Sequence, residues 1–303
     1  MMRSLFSAVS GLKSNQTAMD IIGNNIANVN TTGYKTSRTI FQDIFSQTIS
    51  SATAPTATTG GSNPKQVGLG VSISTIGMNM TEGSTQSTSN PLDFAISGEG
   101  FFVVDDGSGS YKYTRNGALQ LDSQGFLVTA NGDYVMAVTQ DDDSNGVPDI
   151  ANTDPVVDTT TGAPLFNKVQ LLGDIYDNTT TPPTLLDHYS DYAIDANGVI
   201  TAVNSAGAKV PIGRIILSTF NNNGGLEKTG SSYYVESSNS GSAKYGFVGN
   251  ECGTLNSGSL EMSNVDLSTE LTNMIITQRG FQANSRVITT TDSMLEELIN
   301  LKR

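Results

Sequence analysis

Two stretches of the chain, one at each end, place apolar residues at alternating steps of three and four. Near the N-terminus Leu5, Val9, Leu12, Gln16, Met19 and Ile26 follow that step, with Gly23 filling one slot. The spacing predicts a helix from about Ser4 to Val29 with a narrow seam along one face. Near the C-terminus Leu267, Leu271, Met274, Gln278, Phe281, Ser285, Ile288, Asp292, Leu295 and Ile299 keep the same step, with no proline and one glycine, Gly280, inside it. Ser263, with Asp266 three residues later, reads as a capping box ahead of that run. The run predicts a helix of roughly 36 residues, ~54 Å long at ~1.5 Å per residue. A helix that long with so narrow a seam needs another helix to cover it, so the termini are expected to pair as a coiled coil. Two arrangements answer that need: a two-helix hairpin packed on the intervening domain, or a seam that closes only in a multi-subunit bundle. The polar breaks at Gln16, Gln278, Ser285 and Asp292, and the apolar surface that a lone pair leaves open, favour the second.

Between the ends the period changes. From Ser46 to Ser89 the chain turns to Ser, Thr, Gly, Ala and Asn, with Pro55 and Pro64, and reads as an extended linker with short strands. Val67, Leu69, Val71, Ile73 and Ile76 contain a period-two run and predict one such strand. From Pro91 onward the signal is β: Phe101–Val104, Tyr111 with Tyr113, Leu119 with Leu121, Phe126–Val128 and Tyr134–Val138, separated by turn residues that include Asn116-Gly117 and Asn131-Gly132. The same texture returns over Tyr192–Ile200, Ile212–Phe220 and Ser231–Glu236. The expected fold is therefore α+β, mainly β: an antiparallel β domain between paired terminal helices. In residue ranges this gives an N-terminal helix in 1–32, a linker in 33–90, a β domain in 91–138 and 191–250, an insertion in 139–190, and a return with the long helix in 251–303.

Composition narrows the function more than the fold. The 303 residues suffice for two or three domains. Formal net charge is −13, so the basic stripe of a nucleic-acid binder is missing. No apolar run approaches the ~20 residues of a membrane span. The first residues, interleaved with Ser and Gly, do not read as a secretion signal. One Cys, Cys252, and one His, His188, exclude a disulfide framework and most histidine-based catalysis. No nucleophile elbow or phosphate loop accompanies them, and no enzyme is expected. Eight aspartates and no Lys or Arg occupy residues 116–167, which reads as a solvated acidic stretch. Within it Asp141, Asp143, Asn145 and Asp149 take the spacing of a calcium loop, with Gly146 at the turn. Asn152 stands where the bidentate carboxylate belongs, so the expected site is incomplete and no cofactor is assigned. A secreted calcium-binding, adhesin-like β protein would use this stretch, yet it leaves the patterned ends unexplained.

Several motifs, in order, resemble a known family. GNNIANVNTTGYK (Gly23–Lys35), with Asn24, Asn25, Ala27, Asn28, Asn30, Thr32 and Gly33, resembles the N-terminal signature of bacterial flagellar rod and hook proteins. Leu260–Arg303 is similar to their C-terminal helix, and Asn90–Val104, Tyr113–Val128 and Gly225–Gly241 are similar to their shared β domain. Ser37–Ser50, Asn63–Ile76 and the ending NLKR resemble the short hook proteins most, while distal-rod proteins share nearly every block. The resemblance implies a hook subunit, with the rigid distal rod as alternative. It implies a helical homopolymer whose inner layer is the paired helices, meeting distal-rod, hook-cap and hook–filament junction proteins outside the cell after type III export. The stretch Gln140–Asp187 has no counterpart in the resemblance and is expected at the outer surface of the tube.

Overall fold

The computed structural model describes residues 2–56, 60–107, 109–138, 166–177, 184–249 and 252–301. The chain forms two compact units, each assembled from separate passages. The helical unit takes residues 1–29, 36–79 and 265–303, and the β unit takes 30–35 and 80–264.

The helical unit is built on α1 (Met2–Ala27) and α2 (Leu267–Leu301). Helix α1 ends where Asn28 folds back, its backbone amide and its Nδ2 both donating to the Asn24 carbonyl, at 3.2 and 2.9 Å. Helix α2 begins at a cap that differs from the expected box. Asp266 Oδ1 accepts the Ser268 amide at 3.0 Å and Oδ2 accepts the Thr269 hydroxyl at 2.6 Å. Asp266 is thus the N-cap, reaching the second helical N–H as such residues do. Ser263 lies before the turn, and its buried Oγ has no hydrogen-bond partner among the described residues. The bonds from Thr269 and Ser268 hold the Asp266 carboxyl below the usual carboxylate range.

In this unit the stretch expected as a linker with short strands forms two antiparallel pairs. Ser37–Asp43 pairs antiparallel with Val71–Met78, and Ser46–Ser50 with Lys65–Gly68. Isolated two-stranded ribbons are marginal in water. This one rests on α1, where Ser10 Oγ accepts the Val71 amide at 3.2 Å and Ser14 Oγ donates to the Val71 carbonyl at 3.4 Å.

The β unit holds the hydrophobic core. Its sheet is antiparallel, running Asp191–Ile194, Val199–Val203, Lys209–Thr219, Tyr134–Val138, Phe101–Asp105, Tyr111–Thr114, Tyr233–Val235, Glu227–Gly230. Val128 pairs with Tyr134 across the Asn131-Gly132 turn, as the sequence predicts. Phe94, Phe102, Val104, Leu119, Leu127, Val135, Ile200, Ile215 and Leu217 pack into one buried cluster. Two boundaries move. Phe166, Val169 and Leu171, expected in the insertion, are buried, and Val169 and Leu171 belong to that cluster. Thr254–Ser257 and Ser259–Glu261, expected in the helical return, pair with Phe94–Ser97 and Thr85–Ser87 inside the β unit. The acidic positions Asp141, Asp143, Asn145 and Asp149 lie outside the described residues.

Candidate assembly surface

Helices α1 and α2 run antiparallel against each other, and small and polar residues set their register. Gly11 faces Asn284: a Cβ there would sit 2.7 Å from Asn284 Nδ2. Gly280 faces Asn15, with 3.1 Å between such a Cβ and Asn15 Nδ2. Each helix thereby seats an amide side chain over a glycine of the other. Further along, Asn25 Nδ2 reaches Glu270 Oε1 at 3.3 Å. From Gly11 to Asn25 the facing positions fall from 284 to 270, so one register holds along the pair.

The buried residues of α1 are Ala8, Gly11, Ser14, Ala18, Ile22 and Asn25. Most of these sit one position before the predicted seam. Leu5, Val9, Leu12, Met19 and Ile26 are only half-buried, flanking a stripe whose small side chains let the backbones approach. On α2, Met274, Phe281, Ile288 and Leu295 are half-buried, whereas Leu267, Leu271 and Ile299 stay 42%, 50% and 68% exposed. The helices therefore pack, but through a stripe that the apolar periodicity does not mark.

What remains uncovered is concentrated. Among the described residues, all eighteen exposed large apolar side chains belong to the helical unit, and none to the β unit. They include Met2 and Phe6 on α1, Ile275, Ile276 and Leu298 on α2, and Phe45 and Ile49 beside or on the ribbon. Single exposed apolar residues are ordinary; their confinement to one unit is not.

The signature stretch divides between two tasks. Asn25, 1% exposed, closes the turn after α1: its Nδ2 donates to the Ser37 carbonyl at 2.8 Å and its Oδ1 accepts the Ser37 amide at 3.1 Å. Burial lifts the Glu270 carboxyl beside it above the usual range, against the Asn25 bond. Thr32 and Gly33 belong to the β unit. Thr32 Oγ1 donates to Asn116 Oδ1 at 2.9 Å, and the Gly33 amide donates to the Glu261 carbonyl at 2.8 Å. Gly33 has φ +68°, and a Cβ on it would meet the Asn116 nitrogen at 2.8 Å, so no other residue fits there without strain. Asn24, Ala27 and Asn30 are exposed.

The sequence reading missed a buried ion cluster in the β unit. Glu261 Oε1 accepts Lys35 Nζ at 2.6 Å and the Gly83 amide at 3.0 Å, and Oε2 accepts Arg115 Nη1 at 3.2 Å. Lys35 and Glu261 side chains are each 1% exposed. Burial pulls the Lys35 ammonium below the usual lysine range, against its bond to Glu261. Burial pushes the Glu261 carboxyl up, but Arg115, Lys35 and the Gly83 amide together hold it below the usual carboxylate range. The available signal was that these are rare charges in a chain with 15% charged residues, each inside a motif otherwise rich in small polar residues.

Among the described residues no cluster of three or more His, Cys, Asp or Glu side chains is placed to hold a metal ion. No described helix is long and apolar enough to cross a membrane. Comparison with known proteins then supplies the family. The description "Flagella basal body rod protein" matches residues 5–35, and "Flagellar hook protein FlgE/F/G D1 domain" matches residues 95–202. "Flagellar basal body rod FlgEFG protein C-terminal" matches residues 256–301. The flagellar basal-body rod protein FlgG of Bacillus subtilis is 44% identical over 305 aligned positions, covering 100% of both chains. The chain belongs to the flagellar rod and hook protein family. The flagellar hook protein FlgE of Borreliella burgdorferi is 33% identical over 442 positions, and FlgG of the same organism 34% over 307, each covering 100% of both chains. As a rod and hook family member the chain is part of the bacterial flagellum; the N-terminal family match spans most of α1 and the signature, and the C-terminal one spans α2 with the Ser259–Glu261 strand before it.

Proposed function

We propose that this rod and hook family chain is a structural, non-catalytic subunit of the flagellar axial tube, polymerising with its own copies through the exposed apolar face of its helical unit. The observation that carries this reading is that, among the described residues, every exposed large apolar side chain lies in that unit, while the β unit closes its own core. The seam positions Leu267, Leu271 and Ile299, open in a single chain, are the contacts assigned to neighbouring subunits. Half-buried Leu5, Val9, Leu12, Met19, Ile26, Met274, Phe281, Ile288 and Leu295 complete that seam.

Within the tube, the sequence motifs favour the hook, whereas length supports the distal rod. The rod relatives align with this chain over 305 and 307 positions, while the hook relative needs 442. We therefore place the chain in the distal rod first, with the hook as the second reading, carried by the resemblance of Ser37–Ser50 and Asn63–Ile76. In the rod its neighbours are its own copies and the hook; in the hook they are the distal rod, the hook cap and the hook–filament junction proteins. Either place requires delivery by the flagellar export apparatus. Electron microscopy of basal bodies from a deletion strain tests this. Truncated rods support the first reading, intact rods without hooks support the second, and a normal motility apparatus overturns both.

A further inference from the structure

The first passage of the β unit ends, and the second begins and ends, near one carboxylate. Lys35 is the last residue of its first passage, Met80 opens the second, and Asn264 closes it. Glu261 binds Lys35 Nζ and the Gly83 amide through one oxygen and Arg115 through the other. Lys35 Nζ also donates to the Thr81 carbonyl at 2.8 Å, and Asn264 Nδ2 donates to the same carbonyl at 3.1 Å. The Gly33 amide reaches the Glu261 carbonyl, and the Asn264 amide reaches the Tyr34 carbonyl at 3.4 Å. Three chain passages, 33–35, 81–83 and 261–264, are thereby joined by side-chain and backbone bonds that converge on Glu261. Only Arg115 comes from the core-forming stretch, anchored by its Nη2 to the Gly98 carbonyl at 2.7 Å and lying 5.6 Å from the Phe101 ring centre. Its Nε is buried without a hydrogen-bond partner among the described residues.

We propose that the Lys35–Glu261–Arg115 cluster is a latch, a locally openable lock that holds together the passages by which the chain enters and leaves the β unit, separable from the core behind it. A buried ion network with one donor unsatisfied costs free energy when closed and holds only while every partner stays charged. Loss of the Glu261 charge leaves two buried cations unpaired, whereas loss of Lys35 keeps the Glu261–Arg115 pair but removes the bonds that tie residue 35 to Glu261 and to the Thr81 carbonyl, so either change releases the passages. The titratable groups facing Glu261 and Lys35 are Arg115, Glu82 and Tyr234, with Lys228 adjoining, its Nζ on the Lys35 carbonyl at 3.1 Å and over the Tyr34 ring. Glu261 is held below the usual carboxylate range and Lys35 below the usual lysine range, so the latch is closed while both are charged and opens on the acid side as pH falls through the lowered Glu261 value. Its opening does not depend on polymerisation and is read in the monomer, apart from the place of the chain in the tube.

The test is amide hydrogen exchange on the purified full-length monomer, with rates corrected for intrinsic pH dependence. Lys35→Met keeps Glu261 paired with Arg115 and is the variant expected to fold; Glu261→Gln is the harsher one. Lys35→Met is expected to lower protection of the Gly33 amide at least tenfold, while Val103 and Ile215 in the core change by less than threefold. Acidification of the unaltered protein is expected to do the same. Equal loss at Gly33 and in the core makes the cluster an ordinary core element and overturns the latch, as does unchanged protection at Gly33. If Glu261→Gln does not fold, Lys35→Met and the acid titration still decide.

Discussion

Leu271→Asp separates the surface left open in one chain from the contact closed within it. Leu271 is 50% exposed on α2, and the helix pair does not depend on it for register. A surface substitution of that kind changes monomer stability by within about 0.5 kcal/mol. In the tube, covering the remaining half of a leucine contributes about 1 kcal/mol. Desolvating an unpaired carboxylate in its place costs several kcal/mol more. A combined penalty of about 4 kcal/mol per contact is roughly a thousandfold in an association constant, at about 1.4 kcal/mol per tenfold. Ala18→Asp is the converse. Ala18 is 2% exposed in the α1 stripe, so a carboxylate there opens the helix pair in the monomer itself. Circular dichroism at 222 nm on dilute protein, beside a sedimentation assay of polymerisation against concentration, reads both effects. The expected result is near-native helicity with no polymer for Leu271→Asp, and lost helicity for Ala18→Asp. Polymer at the ordinary concentration from Leu271→Asp, or a collapse of its monomer helicity, refutes the assignment of the open face to assembly.

Other outcomes follow from single sites. Asn25→Ala removes both bonds to the Ser37 backbone and the Glu270 contact from a site 1% exposed. It is expected to lower the melting temperature of the helical signal, at a cost of about 2–3 kcal/mol for the stranded polar groups. Leu171→Ala is expected to cost about 2–5 kcal/mol in urea unfolding of the β unit, because Leu171 is fully buried in its core. A cost near zero would return residues 166–172 to a surface insertion. Burial lifts Tyr234 to about 12, so the folded state resists its ionisation. That contribution is complete below the unfolded value of about 10 and is lost as pH rises through the folded one. Tyr234→Phe is therefore expected to flatten the alkaline limb of the stability profile, measured as the urea midpoint between pH 8 and pH 12.

The sequence by itself determined the elements whose signals are local. Helix α1 runs Met2–Ala27 where the three-and-four step predicts Ser4–Val29, and α2 has 35 residues against roughly 36. Most β-unit strands stand within a few residues of their predicted positions, because alternation and Asn-Gly turns are read over short windows. Tertiary structure alone decided which stripe of α1 is covered. Apolar periodicity marks Val9, Leu12 and Met19, but close approach selects Ala8, Gly11 and Ala18, whose virtue is the volume they lack. In the ribbon of residues 37–78 the period-two run at Val67–Ile76 announces a strand, but its antiparallel partners and its seat on α1, where hydroxyl groups meet the Val71 backbone, are decided only by the fold. Lys35, Arg115 and Glu261 meet across 80 and 146 residues of chain, and no local pattern encodes a contact whose reason is the mutual compensation of buried charges.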